Sequence, residues 1–374
     1  MQNPFNFFSI ATDKDFCNRD EDIKQLKSYI SNSANIVLYS KRRYGKTTLL
    51  TELFQNHLEN NIVSIYIDIY GINDKYTLIE KLSSKIVEYY KVTDITQTIK
   101  NLKSVFNRIS FSLTINQKTA MPEIKPEFIK KDFEVLLNEI LDNFQEFLVT
   151  KNKKAVIAID EFQDILNITD INIEAILRSK IQFHTNISYI FTGSKQHMLT
   201  SMFNDNKKPF YTMATNYELK AINSTVFYNY TSIRLLKKEL ELSNDIFLNI
   251  YNLCDGETRM IQKIFYEIYE RYQNITIDET IIEEIFDMLN LQNDSVYKLL
   301  CDNLTQNQII TLKIVSNNLD EILSKNISDI YNISQQSIKS ALNSLLKKEI
   351  IYKQENNYIV YDKEFDFWLK SQEK

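Results

Sequence analysis

The chain has 374 residues, of which 44% are hydrophobic and 25% are charged, and its net charge is −5. This length predicts two or three domains with real hydrophobic cores, and the charge excludes binding to nucleic acid through bulk basicity. Three scattered cysteines form neither a metal-binding spacing nor a disulfide framework, which is typical of a reducing compartment. Because there is neither a membrane-length apolar run nor a basic leader, we expect a cytoplasmic protein with no membrane partner.

The first segments of the chain predict a surface helix followed by a buried strand. Ile23, Leu26 and Ile30 recur at helical spacing, and residues 35–39 form an apolar run. The stretch after this run matches a phosphate-binding P-loop, a glycine followed by four residues and then Gly-Lys-Ser/Thr, except that a serine replaces the first glycine. The predicted nucleotide-contacting residues are Ser40, Lys41, Arg42, Arg43, Tyr44, Gly45, Lys46, Thr47 and Thr48.

The chemistry of this loop predicts an ATP site. Backbone N–H groups of such a loop surround a phosphate chain, and the following helix starts at the same anion. Lys46 would then reach the β- and γ-phosphates, and the Thr47 hydroxyl would bind Mg²⁺. The alternative is a basic turn before an amphipathic helix, and the acidic strand end described below favours the nucleotide site.

The next stretch predicts further α/β structure. The apolar run 62–69 predicts a strand that is buried on both faces, as in a parallel sheet. Helices are expected over about 76–90 and 94–108, and alternation at 111–115 predicts a hairpin strand before a turn at Pro122. A long amphipathic helix is expected from residue 129 to residue 148.

A second chemical element lies at Asp160 and Glu161, directly after the apolar strand 155–159. In a parallel sheet, ligands bind at the carboxyl ends of the strands. We expect Asp160 to hold Mg²⁺ through water and Glu161 to act as the catalytic base toward the attacking water. The alternative, a buried strand with a solvated acidic turn, is less favoured because the P-loop precedes it.

Two further positions leave their interpretation open. The strand 187–192 leads into Ser194, which either contacts the γ-phosphate or the attacking water, or belongs to an ordinary strand-to-helix turn. A fifth strand is expected over 217–222 and consecutive helices over 233–292. Arg259, near the start of one of these helices, is either a catalytic arginine over the phosphates or an ordinary solvated side chain.

The last segment predicts a winged helix-turn-helix. A helix begins near Thr305, a short helix spans 327–331, and Ser334 is a good N-cap for the third helix. Two strands follow, at 350–353 and 358–361. Over residues 293–374 there are 10 lysines and 11 acidic residues, which is little charge for phosphate-driven binding. DNA contact and a structural or oligomerisation role therefore both stay open. Candidate DNA-contacting residues are Gln335, Gln336, Lys339, Asn343 and Lys347.

Taken together, the chain resembles the archaeal-type ATPases of prokaryotes, which belong to the STAND branch near AAA+ proteins and are related to origin-recognition ATPases. Stretches that are similar to family motifs run along nearly the full length: Phe16-Cys17-Asn18-Arg19-Asp20-Glu21, Arg42-Arg43-Tyr44-Gly45-Lys46-Thr47, Asp160-Glu161-Phe162-Gln163, Gly193-Ser194-Lys195-Gln196-His197, Pro209-Phe210-Tyr211, Leu304-Thr305-x-x-Gln308 and Tyr361-Asp362-Lys363-x-Phe365-x-x-Trp368-Leu369.

The resemblance implies an α/β P-loop ATPase with parallel sheet order 5-1-4-3-2, a helical lid and a C-terminal winged helix. We place these parts at residues 1–228, 229–292 and 293–374. It also implies a nucleotide contact from Arg19 in the opening box. Related chains carry an arginine after the Pro-Phe-Tyr segment, near the end of the fifth strand, where this chain has Thr212; Arg178 and Arg259 are the remaining candidates to supply that charge.

Three functional hypotheses follow. The leading one is an ATPase that binds Mg-ATP, hydrolyses it slowly and acts as a nucleotide-dependent molecular switch, completed by a protein partner or by self-assembly. The second is a regulator that binds double-stranded DNA through the winged helix and uses ATP mainly as a structural ligand. The third is a docking module of a defence or mobile-element system.

Overall fold

The computed structural model describes residues 3–89, 109–115, 122–128, 132–317, 321–354 and 357–372. These residues form two compact units. We call Ile10–Lys220 the sheet unit, and the described residues of Met1–Ser9 and Ala221–Lys374 the helical unit. The domain bounds given above stay predictions. None of the helices within the described ranges is both long and apolar enough to cross a membrane.

The sheet unit is built on a five-stranded parallel sheet. Strands of this unit are β1 (Ile36–Tyr39), β2 (Ile62–Asp68), β3 (Ile109–Ile115), β4 (Pro122–Phe128), β5 (Lys154–Asp160), β6 (Ile187–Thr192) and β7 (Thr215–Glu218). The sheet has the order β2-β5-β6-β1-β7. Counting its five strands along the chain, this is the expected order 5-1-4-3-2, which is confirmed.

Helices cover both faces of this sheet. They are α1 (Asp20–Ser31), α2 (Lys46–Glu52), α3 (Lys75–Tyr89), α4 (Phe133–Thr150), α5 (Ile173–Ile181) and α6 (Gln196–Asn204). Side chains alternate between the faces: Val37 packs in the core formed with α3 to α6, whereas Ile36 and Leu38 pack against α1 and α2. Two apolar layers therefore fix the strand ends from which the candidate site is built.

Several local predictions need correction. In the described part of the chain β2 pairs only with β5, and Ser64 and Asp68 on it are exposed, so the expected burial on both faces is wrong for an edge strand. Pro122 begins β4, opposite Ile115 in β3, instead of forming the turn. The helix predicted over 94–108 lies outside the described residues.

The helical unit contains α7 (Ser224–Leu235), α8 (Asn244–Leu253), α9 (Thr258–Arg271) and α10 (Glu279–Asp302), with a short parallel pair of strands, β8 (Leu240–Glu241) and β9 (Ile275–Thr276). These confirm the consecutive helices expected for this part of the chain. Phe5, near the start of the chain, packs on Phe265 and Tyr269 of α9, which explains why the first residues belong to this unit.

The C-terminal part of the helical unit is a winged helix, as predicted. It contains α11 (Gln306–Ser316), α12 (Lys325–Ile330), α13 (Gln335–Lys347), the antiparallel strands β10 (Ile351–Gln354) and β11 (Asn357–Val360), and α14 (Lys363–Ser371). Thr305 and Gln308 form a capping box at the start of α11, which satisfies two otherwise unpaired backbone donors. Ser334 caps α13 by accepting from the backbone N–H of Ser337.

Candidate functional site

The predicted P-loop connects β1 to α2, at the edge of the sheet where the parallel strands end. Two of its residues have left-handed backbone conformations, Arg43 with φ 63° and Gly45 with φ 92°. Glycine adopts the second value without steric cost, and it directly precedes the first residue of α2, Lys46. Alternation of right- and left-handed residues turns successive N–H groups toward one point, which is the backbone geometry of an anion site.

Ser40, which replaces the first glycine of the P-loop pattern, is buried and hydrogen-bonded within the loop. Its hydroxyl donates to the backbone carbonyl of Lys41 at 2.6 Å and accepts from the Lys46 ammonium at 3.2 Å. The side chain that a glycine would lack therefore holds the lysine of the loop. Tyr44 is also buried, so its ring packs inside the protein.

The acidic pair lies within electrostatic reach of the loop lysine. Burial lowers the pKa of Lys46, and the carboxylates of Asp160 and Glu161 oppose this shift, while Arg42 adds to it. Burial likewise raises the pKa of Asp160, against the effect of a hydrogen bond from Tyr66 and of Lys46. The structure thus brings together two elements that are more than a hundred residues apart in the sequence.

Tyr66 on β2 is a part of this site that the sequence did not reveal. Its hydroxyl donates a hydrogen bond to Oδ2 of Asp160. Burial and the Asp160 carboxylate raise the pKa of this hydroxyl, and the Thr47 side chain opposes that shift. The other carboxylate oxygen, Oδ1, accepts from the backbone N–H of Glu161 at 3.0 Å. The tyrosine hydroxyl is therefore bonded to one of the two residues predicted to hold Mg²⁺, Asp160, and is influenced by the other, Thr47.

Glu161 is engaged by the end of the neighbouring strand, β6. Its Oε2 accepts from the backbone N–H of Ser194 at 3.0 Å and from the Ser194 hydroxyl at 2.8 Å. The Gln163 amide donates to the same oxygen at 2.6 Å. Gly193 permits this arrangement, because a Cβ there would lie 1.9 Å from Oε1 of Gln163. Ser194 is thus placed beside the predicted base, and Gln163 is a second residue whose part the sequence analysis missed.

Arg19 is buried beneath the P-loop. Its guanidinium donates to the carbonyl of Tyr44 at 2.9 Å and to the carbonyl of Lys220 at 2.6 Å, and it lies 3.4 Å from a carboxylate oxygen of Asp22. Asp22 in turn accepts from the Tyr217 hydroxyl on β7 at 2.6 Å. The structure therefore gives Arg19 backbone partners that support the loop from inside the protein.

Other predicted charge donors lie elsewhere. Arg178 is exposed in the last turn of α5, next to where β6 begins and therefore at the opposite edge of the sheet. The expectation that Thr212 lies near the end of the fifth strand is wrong: it precedes β7, which begins at Thr215 opposite Ile36, the first residue of β1. Arg259 is exposed at the start of α9 in the helical unit.

The candidate DNA-contacting residues of α13 are all exposed. Gln336, Lys339, Asn343 and Lys347 follow one another at spacings of three and four, so they share one face of the helix. Gln335 differs from them, because its amide donates to the backbone carbonyl of Leu323 at 2.7 Å. It therefore ties α13 to the segment that precedes α12.

The residues at the sheet edge fit ATP and Mg²⁺ by their chemistry. A hydroxyl and a carboxylate are the hard oxygen ligands that Mg²⁺ takes, usually together with phosphates and waters. In the described residues no group of three or more His, Cys, Asp or Glu side chains is gathered as a metal site. Thr47 and Asp160 would thus hold Mg²⁺ together with the nucleotide.

Comparison with known families gives two matches. A family model described as "ATPase domain predominantly from Archaea" matches residues 16–264, and one described as "Probable winged helix domain" matches residues 295–371. No curated protein matches the chain. The first match extends from the predicted opening box, through the P-loop and the acidic pair, into α9, and the second contains α11 to α14.

Solved structures show the same fold at low sequence identity. A Walker-type ATPase of Pyrococcus abyssi is similar with a TM-score of 0.65 and 17% identity, over 98% of this chain and 99% of that one. The ORC2 protein of Aeropyrum pernix, in its ADPNP–ADP complexes, is similar with a TM-score of 0.54 and 12% identity, over 100% and 98%. Its ADP form gives 0.52 and 13%, over 99% and 97%.

The fold, the P-loop followed by an acidic strand end, and a family model that covers well over half of the chain agree with one another. They support a nucleotide-binding ATPase of the Walker type. The chain belongs to the family of ATPase domains found predominantly in Archaea, and it carries a C-terminal winged helix domain.

Proposed function

We propose that this protein binds Mg-ATP, hydrolyses it slowly and acts as a STAND-like molecular switch. The observation that carries the proposal is that Lys46 and Thr47, at the start of α2, lie at the same edge of the parallel sheet as Asp160 and Glu161, at the end of β5. Lys46 contacts the phosphates, Thr47 and Asp160 hold the metal, and Glu161 accepts a proton from the attacking water. Mg²⁺, when bound, neutralises charge on the phosphate oxygens.

The contacts of Glu161 support slow hydrolysis. A carboxylate oxygen has two lone pairs with which to accept hydrogen bonds, so an oxygen that already holds several donors has little capacity left for a water. Oε2 of Glu161 accepts from two donors of Ser194 and from Gln163. For Oε2 to accept a proton from the attacking water, at least one of these hydrogen bonds has to break.

The positions of the candidate arginines support completion by a partner or by self-assembly. A positioned arginine stabilises the charge that spreads over the γ-phosphate in the transition state. Arg178 and Thr212 belong to the opposite edge of the sheet, and Arg259 belongs to the helical unit. The charge therefore comes from Arg259 when the lid closes or from a neighbouring molecule.

Arg19 supports the switch. It holds the carbonyl of Tyr44 in the P-loop and the carbonyl of Lys220, the residue at which the chain leaves the sheet unit. A rearrangement of the loop on nucleotide binding thus acts on the start of the segment that leads to α7. In the proposal, nucleotide state changes the arrangement of ATPase core, lid and winged helix.

A pair of isosteric variants tests the catalytic assignment. Glu161→Gln should bind Mg-ATP like the parent protein while hydrolysis falls by about 10²–10⁴-fold, because an amide cannot accept the proton from water. Glu174→Gln is the matched control, since Glu174 is a buried glutamate of the same unit that pairs with Lys208 at 3.4 Å. Calorimetry measures binding and phosphate release measures turnover. A Glu161→Gln protein with the parental rate would exclude Glu161 as the base.

A second candidate function is DNA binding by the winged helix, favoured by the exposed polar face of α13 that Gln336, Lys339, Asn343 and Lys347 form. In this case ATP serves mainly as a structural ligand. If the protein binds no DNA at low salt, the winged helix is instead a docking module for another protein, as in a defence or mobile-element system.

A further inference from the structure

Tyr66 reaches the candidate metal site from the edge strand β2. In the register of β2 with β5, Tyr66 lies opposite Ala158, two residues before the pair formed by Asp68 and Asp160. Its ring packs with the apolar cluster that includes residues of α1 and α2, so it lies on the face of the sheet from which α2 starts. The hydroxyl at the end of this ring is therefore delivered to the carboxylate by a well-packed side chain.

The hydroxyl of Tyr66 is held at one of the two predicted metal ligands. It donates to Oδ2 of Asp160, and the Thr47 side chain is among the groups that act on it. Because Oδ1 of Asp160 is held by the backbone of Glu161 at 3.0 Å, both oxygens of the carboxylate are fixed. Each carboxylate oxygen has two lone pairs, so Asp160 keeps acceptor capacity toward a metal-bound water.

We propose that Tyr66 is a positioning residue for Mg²⁺: its hydroxyl holds the Asp160 carboxylate in the orientation that faces Thr47 and thereby sets the metal affinity of the nucleotide-bound protein. This inference rests on the proposed function of the site. A polar partner that orients a metal-ligating side chain typically contributes 10–100-fold to metal affinity. A ring that only fills space contributes nothing to it, so the two roles of Tyr66 are separable by removing a single oxygen atom.

Tyr66→Phe makes this separation, because it keeps the ring and removes the hydroxyl. In the presence of ATP, the Kd for Mn²⁺, measured by calorimetry or by electron paramagnetic resonance of the free ion, should rise about 10-fold or more. ATP affinity in EDTA should stay at the parental value, since the proposed site assigns Tyr66 no contact with the phosphates or the base. Tyr189→Phe is the matched control: Tyr189 lies on β6 of the same sheet, and its hydroxyl bonds to His184 at 2.8 Å. It should leave both affinities unchanged.

A double-mutant cycle assigns the effect to Asp160. In an Asp160→Asn background, Tyr66→Phe should change the Mn²⁺ affinity much less than in the parent, because the oriented carboxylate is gone. A folded Tyr66→Phe protein with the parental Mn²⁺ affinity, or an effect of equal size in both backgrounds, would overturn the proposal. If the parent itself binds no ATP in the presence of Mn²⁺ or Mg²⁺, the proposed function fails instead, so the two failures are distinct.

A measurement on the parental fold covers the case in which Tyr66→Phe does not fold. Position 66 is labelled site-specifically with 3-fluorotyrosine, and its ¹⁹F resonance is followed as Mg²⁺ is added to the ATP complex. The signal should shift on adding the metal, beyond the change caused by ATP alone, whereas the same label at position 189 should not respond. An unchanged resonance at position 66 would contradict the role of Tyr66.

Discussion

Replacing Arg19 with methionine should destabilise the sheet unit by about 2–5 kcal/mol. Arg19 is 7% exposed, and its guanidinium donates to the carbonyls of Tyr44 and Lys220. Methionine keeps most of the length of the side chain but has no donor, so both carbonyls lose their partner. A buried polar group left without its partner costs about 1–3 kcal/mol. The bond to the Tyr44 carbonyl is buried and the bond to the Lys220 carbonyl is partly buried, so the second loss costs less, about 1–2 kcal/mol, and the two together come to about 2–5 kcal/mol. Asp22 adds little, because the Tyr217 hydroxyl still donates to it.

The assay is equilibrium unfolding in urea, followed in two ways. Hydrogen exchange of peptides from the sheet unit reports on its stability, and fluorescence of Trp368, the single tryptophan of the chain, reports on the helical unit. Arg271→Met is the matched control. Arg271 pairs with Glu267 at 3.2 Å while it is 47% exposed, and an exposed pair of this kind contributes at most about 0.5 kcal/mol.

The outcome decides between two roles for Arg19. A loss of about 2–5 kcal/mol in the sheet unit, with Trp368 fluorescence unchanged in its midpoint, supports an internal brace of the P-loop. A loss for Arg19→Met that does not exceed the loss for Arg271→Met would refute the argument. Arg19 would then be a contact for the nucleotide, as the sequence motif implied, without a role in the nucleotide-free fold.

Three other predictions are independent of this one. Lys46→Ala should abolish ATP binding and leave the fold intact, and calorimetry that finds parental affinity in a folded variant would contradict the phosphate role. Burial lowers the pKa of His184 below its ordinary value of about 6.5, so unfolding takes up a proton at this residue when the pH is below about 6.5. The free energy of unfolding should therefore fall as the pH drops below about 6.5. His184→Gln should remove this part of the pH dependence in a pH series of urea unfolding curves. If α13 binds DNA, Lys339→Glu with Lys347→Glu should weaken binding and flatten its salt dependence, by about one to two in the slope; an unchanged slope would place the DNA contact elsewhere.

Local sequence patterns predicted the elements that carry the chemistry. The apolar run before Ser40, the spacing of Gly45, Lys46 and Thr47, and the carboxylates after β5 follow from the few backbone shapes that bind phosphate next to a parallel sheet. The strand order came from the family resemblance. Since all five strands are parallel, the residues alone leave open which of them are neighbours.

The site residues that the sequence analysis missed depend on which strands are neighbours in the sheet. Tyr66 looks like an ordinary strand residue until β2 is known to lie beside β5. The part of Gln163 becomes visible only when the end of β6 is known to contact Glu161. Ser40 looked like a departure from the motif, whereas its hydroxyl bonds to Lys46 within the loop. For such residues the useful signal is a polar side chain on a buried face, but its partner comes only from the fold.

Thr212 illustrates a different limit. The sequence places it close to the fifth strand, and which end of the strand it occupies decides whether it faces the P-loop or the opposite edge. The expected strand, 217–222, began two residues late, and β7 in fact begins at Thr215. Thr212 precedes the strand with either set of bounds, so it lies at the edge of the sheet opposite the P-loop. The expectation that it lies near the strand end came from the family resemblance and not from the strand bounds.

The central claim is tested most directly by steady-state ATP hydrolysis measured against protein concentration, with and without double-stranded DNA. The account predicts that the isolated protein binds ATP but turns it over at well below about one per second, the low end of typical enzyme rates. The rate per molecule should rise as molecules assemble or as a partner completes the site. Fast turnover that is independent of protein concentration and of DNA would show that a single molecule already holds a complete site, and it would contradict the switch.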